Sequence, residues 1–278
     1  TAYVAKLIAD QLSQVDIACK AFPMEEATIP EQAIQVESDT LIGIGFPVHA
    51  MNAPKIVYDF IKLLPSQRCS YFIFKTAGDP MFNGGSNLPI REKLGIKGWR
   101  CIHQSLFVMP ANMASNTIPE KIKQLALLAE KQASILANEI LNGTIVREPK
   151  SRLNPLFSLF SRLEYYGAKK NSSKWIVKES CTRCGKCVAE CPTKNITDNG
   201  TNLIFGDKCI WCLRCSFNCP AQALMMINKV MDKLRVEPYD IAKIVADTSI
   251  TADYFGANLP RRYLRFKRYF QKQGLITS

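Results

Sequence analysis

Long apolar runs are missing from this chain of 278 residues. None approaches the roughly 18 residues that a membrane-spanning helix needs, so the sequence offers no transmembrane segment. No signal peptide shows, because Thr1-Ala-Tyr-Val-Ala-Lys6 already reads as amphipathic helix. Histidine is scarce, with only His49 and His103, and no acid–base pair stands out for catalysis. The G-x-G-x-x-G string is absent, which removes the usual fingerprint of a dinucleotide site. Acidic residues are in the minority, at 24 Asp and Glu against 36 Lys and Arg, for a formal net charge of +12. Such a balance suits nucleic acid, an anionic membrane surface or an acidic partner protein. No nucleic-acid motif accompanies it, so the acidic protein partner is the expected one.

What the chain does have is cysteine. Of its eleven, eight fall in two runs. Cys181, Cys184, Cys187 and Cys191 precede Pro192; Cys209, Cys212, Cys215 and Cys219 precede Pro220. Each run reads C-x2-C-x2-C-x3-C-P, and the second repeats the first after 28 residues. Zinc sites pair C-x2-C with a distant second pair, and fit a doubled four-cysteine run badly. Disulfides between cysteines three apart would close strained loops and leave the repeat without a reason. Thiols in such numbers point to a reducing compartment, hence the cytoplasm. Cys19, Cys69 and Cys101 lie in or beside apolar stretches and are expected to be buried hydrophobes.

The doubled run is similar to that of bacterial ferredoxins carrying two [4Fe-4S] clusters. In that pattern the fourth cysteine of each run serves the other cluster, since the proline behind it turns the chain away. The resemblance therefore assigns Cys181, Cys184, Cys187 and Cys219 to one cluster, and Cys209, Cys212, Cys215 and Cys191 to the other. Two such clusters with their thiolates each carry roughly −2 when oxidised, which brings the loaded protein nearer about +8. Ile196 and Leu224 hold matching places behind the two prolines. Ile210 and Trp211 fall inside the second run, where apolar bulk excludes water and alters a cluster's potential.

Ahead of the cysteines, helix and strand patterns alternate. Residues 2–13 place Val4, Leu7, Ile8 and Leu12 on one stripe of a helix. Val15 to Cys19 reads as a short strand, and Phe22 to Ser38 as loop. Thr40-Leu-Ile-Gly-Ile-Gly-Phe46 reads as a strand buried on both faces. Asn52 is placed to cap the helix that follows, with Pro54 in its first turn and Pro65 at its end. Ser70 to Thr76 and Trp99 to Val108 are further strands, with a short helix near Pro89 to Leu94. A long helix runs from Pro119 to Asn142, stopped by Gly143. The alternation predicts a parallel α/β sheet with helices on both faces, and ligands beyond the carboxyl ends of the strands.

Gly45-Phe-Pro-Val-His-Ala-Met-Asn-Ala-Pro54, Phe74-Lys-Thr-Ala-Gly-Asp79 and Val108-Met-Pro-Ala-Asn112, followed by the doubled cysteine run, resemble the flavodoxin–ferredoxin fusions over most of residues 1–225. The resemblance implies a flavodoxin-like domain with FMN at its strand ends. It implies isoalloxazine contacts from Phe46, Pro47, Val48 and His49, and from Thr76, Ala77, Gly78, Asp79, Gly84 and Gly85. Thr1 matches the last threonine of a phosphate loop whose earlier part, with the first strand, has no counterpart in the chain. The expected fold is thus an α/β flavodoxin-like parallel sheet lacking its first strand, plus a small α+β ferredoxin-like domain, with weak FMN binding by this chain. The expected boundaries are 1–142 for the sheet domain, 143–173 for a linker, 174–228 for the ferredoxin unit and 229–278 for a basic extension. The linker stretch Leu153 to Phe160 has the pattern of a short amphipathic helix. The last 18 residues hold six Lys or Arg, no acid and several aromatics, as in a basic amphipathic helix on its own protein, a partner or a membrane surface. The implied role is electron transfer with a redox protein as donor or acceptor. A flavin-dependent oxidoreductase using the clusters as an internal wire is the alternative.

Overall fold

Tyr71-Phe-Ile-Phe74 turns no polar side chain to water on either side, and it lies at the centre of a sheet. β1 (Leu41–Pro47), β2 (Cys69–Ala77) and β3 (Trp99–Val108) run parallel in the order β1-β2-β3. Leu41 aligns with Ser70 and Cys69 with Trp99, with one irregularity between Tyr71 and Phe72. The computed structural model describes residues 1–28, 33–37, 39–49, 51–81, 83, 85–113, 118–148, 166–167, 169–255, 259 and 261–277. They divide into two units, one drawn from 1–110, 117–158 and 240–278, the other from 111–116 and 159–239. Among the described residues no helix is long and apolar enough to cross a membrane.

In the first unit, helices cover both faces of the sheet. α1 (Ala2–Ser13) is followed by α2 (Met24–Thr28), α3 (Lys55–Leu63), α4 (Leu88–Ile96) and α5 (Pro119–Leu141). Ile44, Phe46, Tyr71 and Ile73 pack with Val57, Phe60 and Ile61 of α3 and Leu94 of α4. On the other face Phe72, Phe74 and Phe107 meet Val4, Ile8 and Leu12 of α1 and Ala129, Ala133 and Leu136 of α5. Each Val, Leu, Ile or Phe side chain so removed from water contributes about 1.5–3 kcal/mol. α5 ends in a left-handed Gly143, φ 67°, whose N–H meets Ile140 O at 3.0 Å while that of Thr144 meets Glu139 O at 2.8 Å. Two of the orphan carbonyls of the last turn are thereby satisfied.

β1 owes its place to two glycines. A Cβ on Gly43 would lie 2.4 Å from the Phe72 ring, and one on Gly45 only 2.0 Å from that of Phe74. The two phenyl rings therefore lie across a bare backbone stripe. Gly45→Ala forces the Phe74 ring off its seat between the sheet and α1, and is expected to cost about 1–3 kcal/mol. A shift of the urea midpoint for the first unit reads this out; an unchanged midpoint would contradict the packing.

Five expectations are corrected here. Val15 to Cys19 is not a strand: Val15 and Ile17 are exposed, and so is Cys19, which is no buried hydrophobe. Apolar character alone makes no strand where no neighbour supplies a hydrogen-bonded ladder. Of the other two thiols, Cys69 is buried and Cys101 half-buried. Residues 22–38 are not all loop, since α2 packs on α3. β1 is not buried on both faces; its burial alternates, with Ile44 and Phe46 buried and Gly43 exposed. Asn52 does not cap α3. Its Oδ1 accepts from Ala53 N–H at 2.8 Å and Tyr58 O–H at 2.6 Å, and Pro54 holds the cap position. The stretch 153–160 lies outside the described residues.

The second unit is built as a repeat. It contains β4 (Trp175–Val177), α6 (Lys186–Ala189), β5 (Ile196–Asp198), β6 (Leu203–Phe205), α7 (Arg214–Phe217), β7 (Leu224–Met226) and α8 (Lys229–Lys233). The 28-residue offset carries β4 onto β6, α6 onto α7 and β5 onto β7. Antiparallel ladders then join β4 to β7 and β5 to β6, so each ladder takes one strand from each half.

The chain beyond residue 240 belongs with the first unit. α9 (Ile241–Ala246) packs on α5. α10 (Leu264–Lys272) buries Phe266 and Phe270, which join Phe255, Leu125, Leu106 and Val108 in a third core. The Tyr269 hydroxyl and Gln132 Nε2, the latter at 2.7 Å, both donate to the Leu106 carbonyl of β3. The amphipathic C-terminal stretch thus turns its aromatic side onto its own domain.

Candidate metal centre

Backbone conformation in the second unit repeats as faithfully as the cysteines do. Arg183, Gly185 and Lys194 have positive φ, and so do Trp211, Leu213 and Gln222, each 28 residues on. Five of these six are not glycine, at about 1 kcal/mol or more apiece for an L-residue. The left-handed residues wind each run tightly and aim its amides inward. The Asn195 N–H meets Cys191 Sγ at 3.2 Å, and the Ala223 N–H meets Cys219 Sγ at 3.3 Å, again 28 residues apart. Cross-links bind the halves: Asn218 Nδ2 donates to Glu190 Oε2 at 2.6 Å, and Lys208 N–H to Asn195 Oδ1 at 2.6 Å.

The eight cysteines sort into two cavities. One, of about 370 Å3 including its open mouth, is lined by Cys181, Cys184, Cys187 and Cys219. The other, of about 350 Å3, is lined by Cys209, Cys212, Cys215 and Cys191. Among the described residues no three His, Cys, Asp or Glu side chains gather around a point fit for one metal ion. The four sulfurs of each cavity stand around a space instead, the arrangement a polynuclear cluster requires. Donor chemistry fits as well: four thiols per cavity, and amides aimed at sulfur to stabilise thiolate.

The cavities differ in their walls. The first carries Arg183 and Lys186, and its Cys184 is exposed. The second is walled by Trp175, Ile196, Phe205, Ile210 and Leu213. Burial accordingly pushes up the thiols of Cys209, Cys212 and Cys215, Cys212 to about 11. Cys191 adds repulsion at all three, which places it electrically with the second run rather than its own. Burial likewise raises Cys187, followed by backbone amides that lower it and by Cys181 and Cys184, which raise it again. Filling either cavity with metal displaces these protons, because the bound ligand is thiolate.

At the carboxyl ends of the sheet strands some expected flavin contacts come together. Thr1 Oγ1 lies 2.6 Å from Thr76 Oγ1, and the Val48 N–H meets Thr76 O at 2.8 Å, beside the Pro47–Thr76 register pair. His49 closes a turn with Asn52 through backbone bonds of 2.9 and 2.8 Å. Ala77 and Gly78 are half-buried, and Gly85 is left-handed. Asp79 organises its own loop, accepting from Met81 N–H at 2.8 Å and pairing with Arg265 of α10. Phe46 is a core residue, its side chain 1% exposed. Gly84 lies outside the described residues.

Sequence reasoning passed over a second buried polar group. Lys75 is fully buried, yet its Nζ donates to Glu148 Oε2 at 2.6 Å and Asn83 O at 3.2 Å, with Ser86 Oγ at 3.4 Å. Asn87 Nδ2 also donates to that Glu148 oxygen, at 3.0 Å. The signal was a lysine following four apolar residues of a central strand. His103 finds its partner in Glu139, 2.8 Å away.

A twice-repeated, thiol-lined cavity on a small α+β frame defines an iron–sulfur domain of ferredoxin type. Residues 173–220 match the family model described as a 4Fe-4S dicluster domain. Searches of curated proteins and of solved structures gave no match.

Proposed function

We propose that the second unit holds two [4Fe-4S] clusters and relays electrons singly. One cluster sits on Cys181, Cys184, Cys187 and Cys219, the other on Cys209, Cys212, Cys215 and Cys191. The observation that carries this reading is the sorting of the cysteines, in which each cavity takes its fourth sulfur from the opposite run. Each cluster supplies a one-electron couple. The chain's own part is to hold thiolate, to aim Asn195 and Ala223 amides at sulfur, and to keep water from the second cavity. The role places the protein in a reducing compartment, the cytoplasm, with a redox protein of acidic surface as its partner.

The reading extends to FMN at the strand ends of the first unit in a chain that includes a phosphate loop. The meeting of Thr1, Val48 and Thr76 at those ends favours it, as does the parallel order of the sheet. Flavin and clusters tethered in one chain exchange electrons without a diffusional encounter. Reduction of a small molecule without an added acceptor protein would favour the oxidoreductase alternative over the carrier.

Anaerobic analysis of iron, acid-labile sulfide and released flavin tests both parts. About eight iron and eight sulfide per chain are expected. Zinc without sulfide would overturn the cluster assignment, and a chain that includes a phosphate loop but releases no flavin would remove the FMN part alone.

A further inference from the structure

The 28-residue repeat gives every position near one cavity a counterpart near the other. Trp175 and Leu203 are such a pair, each six residues ahead of the first cysteine of its run. They cross over: Trp175 lines the cavity of Cys209, and Leu203 lines the cavity of Cys181. The Trp175 ring stacks on Phe205 with centroids 6.2 Å apart and planes at 19°, which fixes its orientation. Its indole N–H, a donor with no acceptor function, belongs to the same cavity wall as Cys209. Leucine offers nothing equivalent to the first cavity. The amide bonds to Cys191 and Cys219 do not break the symmetry, because Asn195 and Ala223 supply one matching bond to each set.

We propose that Trp175 is a positioning residue that makes the two clusters inequivalent, its N–H stabilising the added electron on the cluster held by Cys209 and not on the other. The inference rests on the two-cluster reading above. An N–H directed at a ligand sulfur favours the more negative, reduced state and raises the potential of that centre. Water entering the same cavity would act in the same direction, so a variant must lose the donor and keep the bulk. Trp175→Phe does so and retains a ring to stack on Phe205.

The experiment is a mediated redox titration followed by electron paramagnetic resonance on the intact chain, wild type and Trp175→Phe. One of the two couples is expected to move to a more negative potential and the other to stay. A tenfold fall in reduced fraction at fixed poise, ~59 mV for one electron, is the size to look for. Phe205→Leu, which loosens the stack and leaves the donor, is expected to shift that couple less. Both couples unmoved, both moved alike, or a shift to more positive potential would each overturn the proposal. Should Trp175→Phe assemble no clusters, the chain labelled with 15N at the indole nitrogen answers instead. A 15N coupling at one reduced cluster that survives in Trp99→Phe and in Trp211→Phe supports the assignment, and no such coupling defeats it. A wild-type chain without iron and sulfide sinks the cluster reading itself, whereas clusters with unmoved potentials sink only the role of Trp175.

Discussion

Glu148→Gln is expected to lower the stability of the first unit by about 3 kcal/mol. Lys75 is fully buried, and its charge is tolerable only because a carboxylate answers it at 2.6 Å. Burial lowers the lysine's affinity for its proton, and Glu148 opposes that by charge and by hydrogen bond. Remove the carboxylate and an unpaired ammonium is left in the interior, at a cost of about 3–5 kcal/mol for a fully buried pair. The Glu148 side chain is 27% exposed, so the lower end applies. The sign of the pH dependence follows from the depressed lysine. Between its folded pKa and the ~10.4 of an unfolded lysine, the unfolded chain holds a proton that the native state does not. Stability therefore rises with pH across that window and is lost as pH falls through the folded pKa. Pulse proteolysis along a urea series, at pH 7 and pH 10, should show a deficit for Glu148→Gln that narrows at the higher pH. A midpoint equal to wild type at pH 7, or a deficit that widens with pH, would show that the pair carries no such weight.

Removing metal should dismantle the second unit and spare the first. The first unit has three apolar cores resting on a sheet and long helices. Among the described residues from Trp175 on, the second has strands of three residues and helices of four or five. Its buried apolar residues are few, Ile196, Leu213, Leu224 and Met226 chief among them. Units this small rely on metal to fold, and the metal's binding energy is then their folding energy. Five non-glycine residues in left-handed backbone add to what the metal must offset. Treatment with a chelator under oxidising conditions is expected to abolish hydrogen-exchange protection across residues 175–226 and leave that of β2 and β3 in place. Protection of both units retained after complete iron loss would show that the second unit folds on its own.

The contrast between the units also explains what could be read in the sequence. Cluster chemistry writes itself as spacing, since each sulfur must come from a fixed step along a tight loop, so the two runs were legible residue by residue. β2, β3 and α5 were legible for a different reason: each is long and buries a whole face, so pattern outweighs exceptions. Val15 to Cys19 misled because a strand is a property of two chains, and alternation in one says nothing of a missing neighbour. Asn52 misled because Pro54 fixes its own φ and takes the cap position, leaving the amide oxygen to Ala53 and Tyr58. Phe46 lies at a strand end, but the parity that aims it into the core is set by the register with β2. Lys75 was visible as an oddity, yet its partner stands 73 residues away, a distance that no local pattern spans. The C-terminal helix showed its amphipathic face and not the surface that receives it.

The two halves of the cysteine-bearing unit have the same bends made from different letters. Arg183 answers to Trp211, Gly185 to Leu213 and Lys194 to Gln222, pairs with little in common in size, charge or polarity. The chain's shape at these places is dictated by where the sulfurs must go, and the side chains are left to vary. Lys194, the exposed member of its pair, is therefore open text in a protein whose grammar is fixed by eight sulfurs, whereas Leu213 is held in the wall of the second cavity. An engineer could write surface charge, a label or a binding epitope at Lys194 and use the untouched second half as the control.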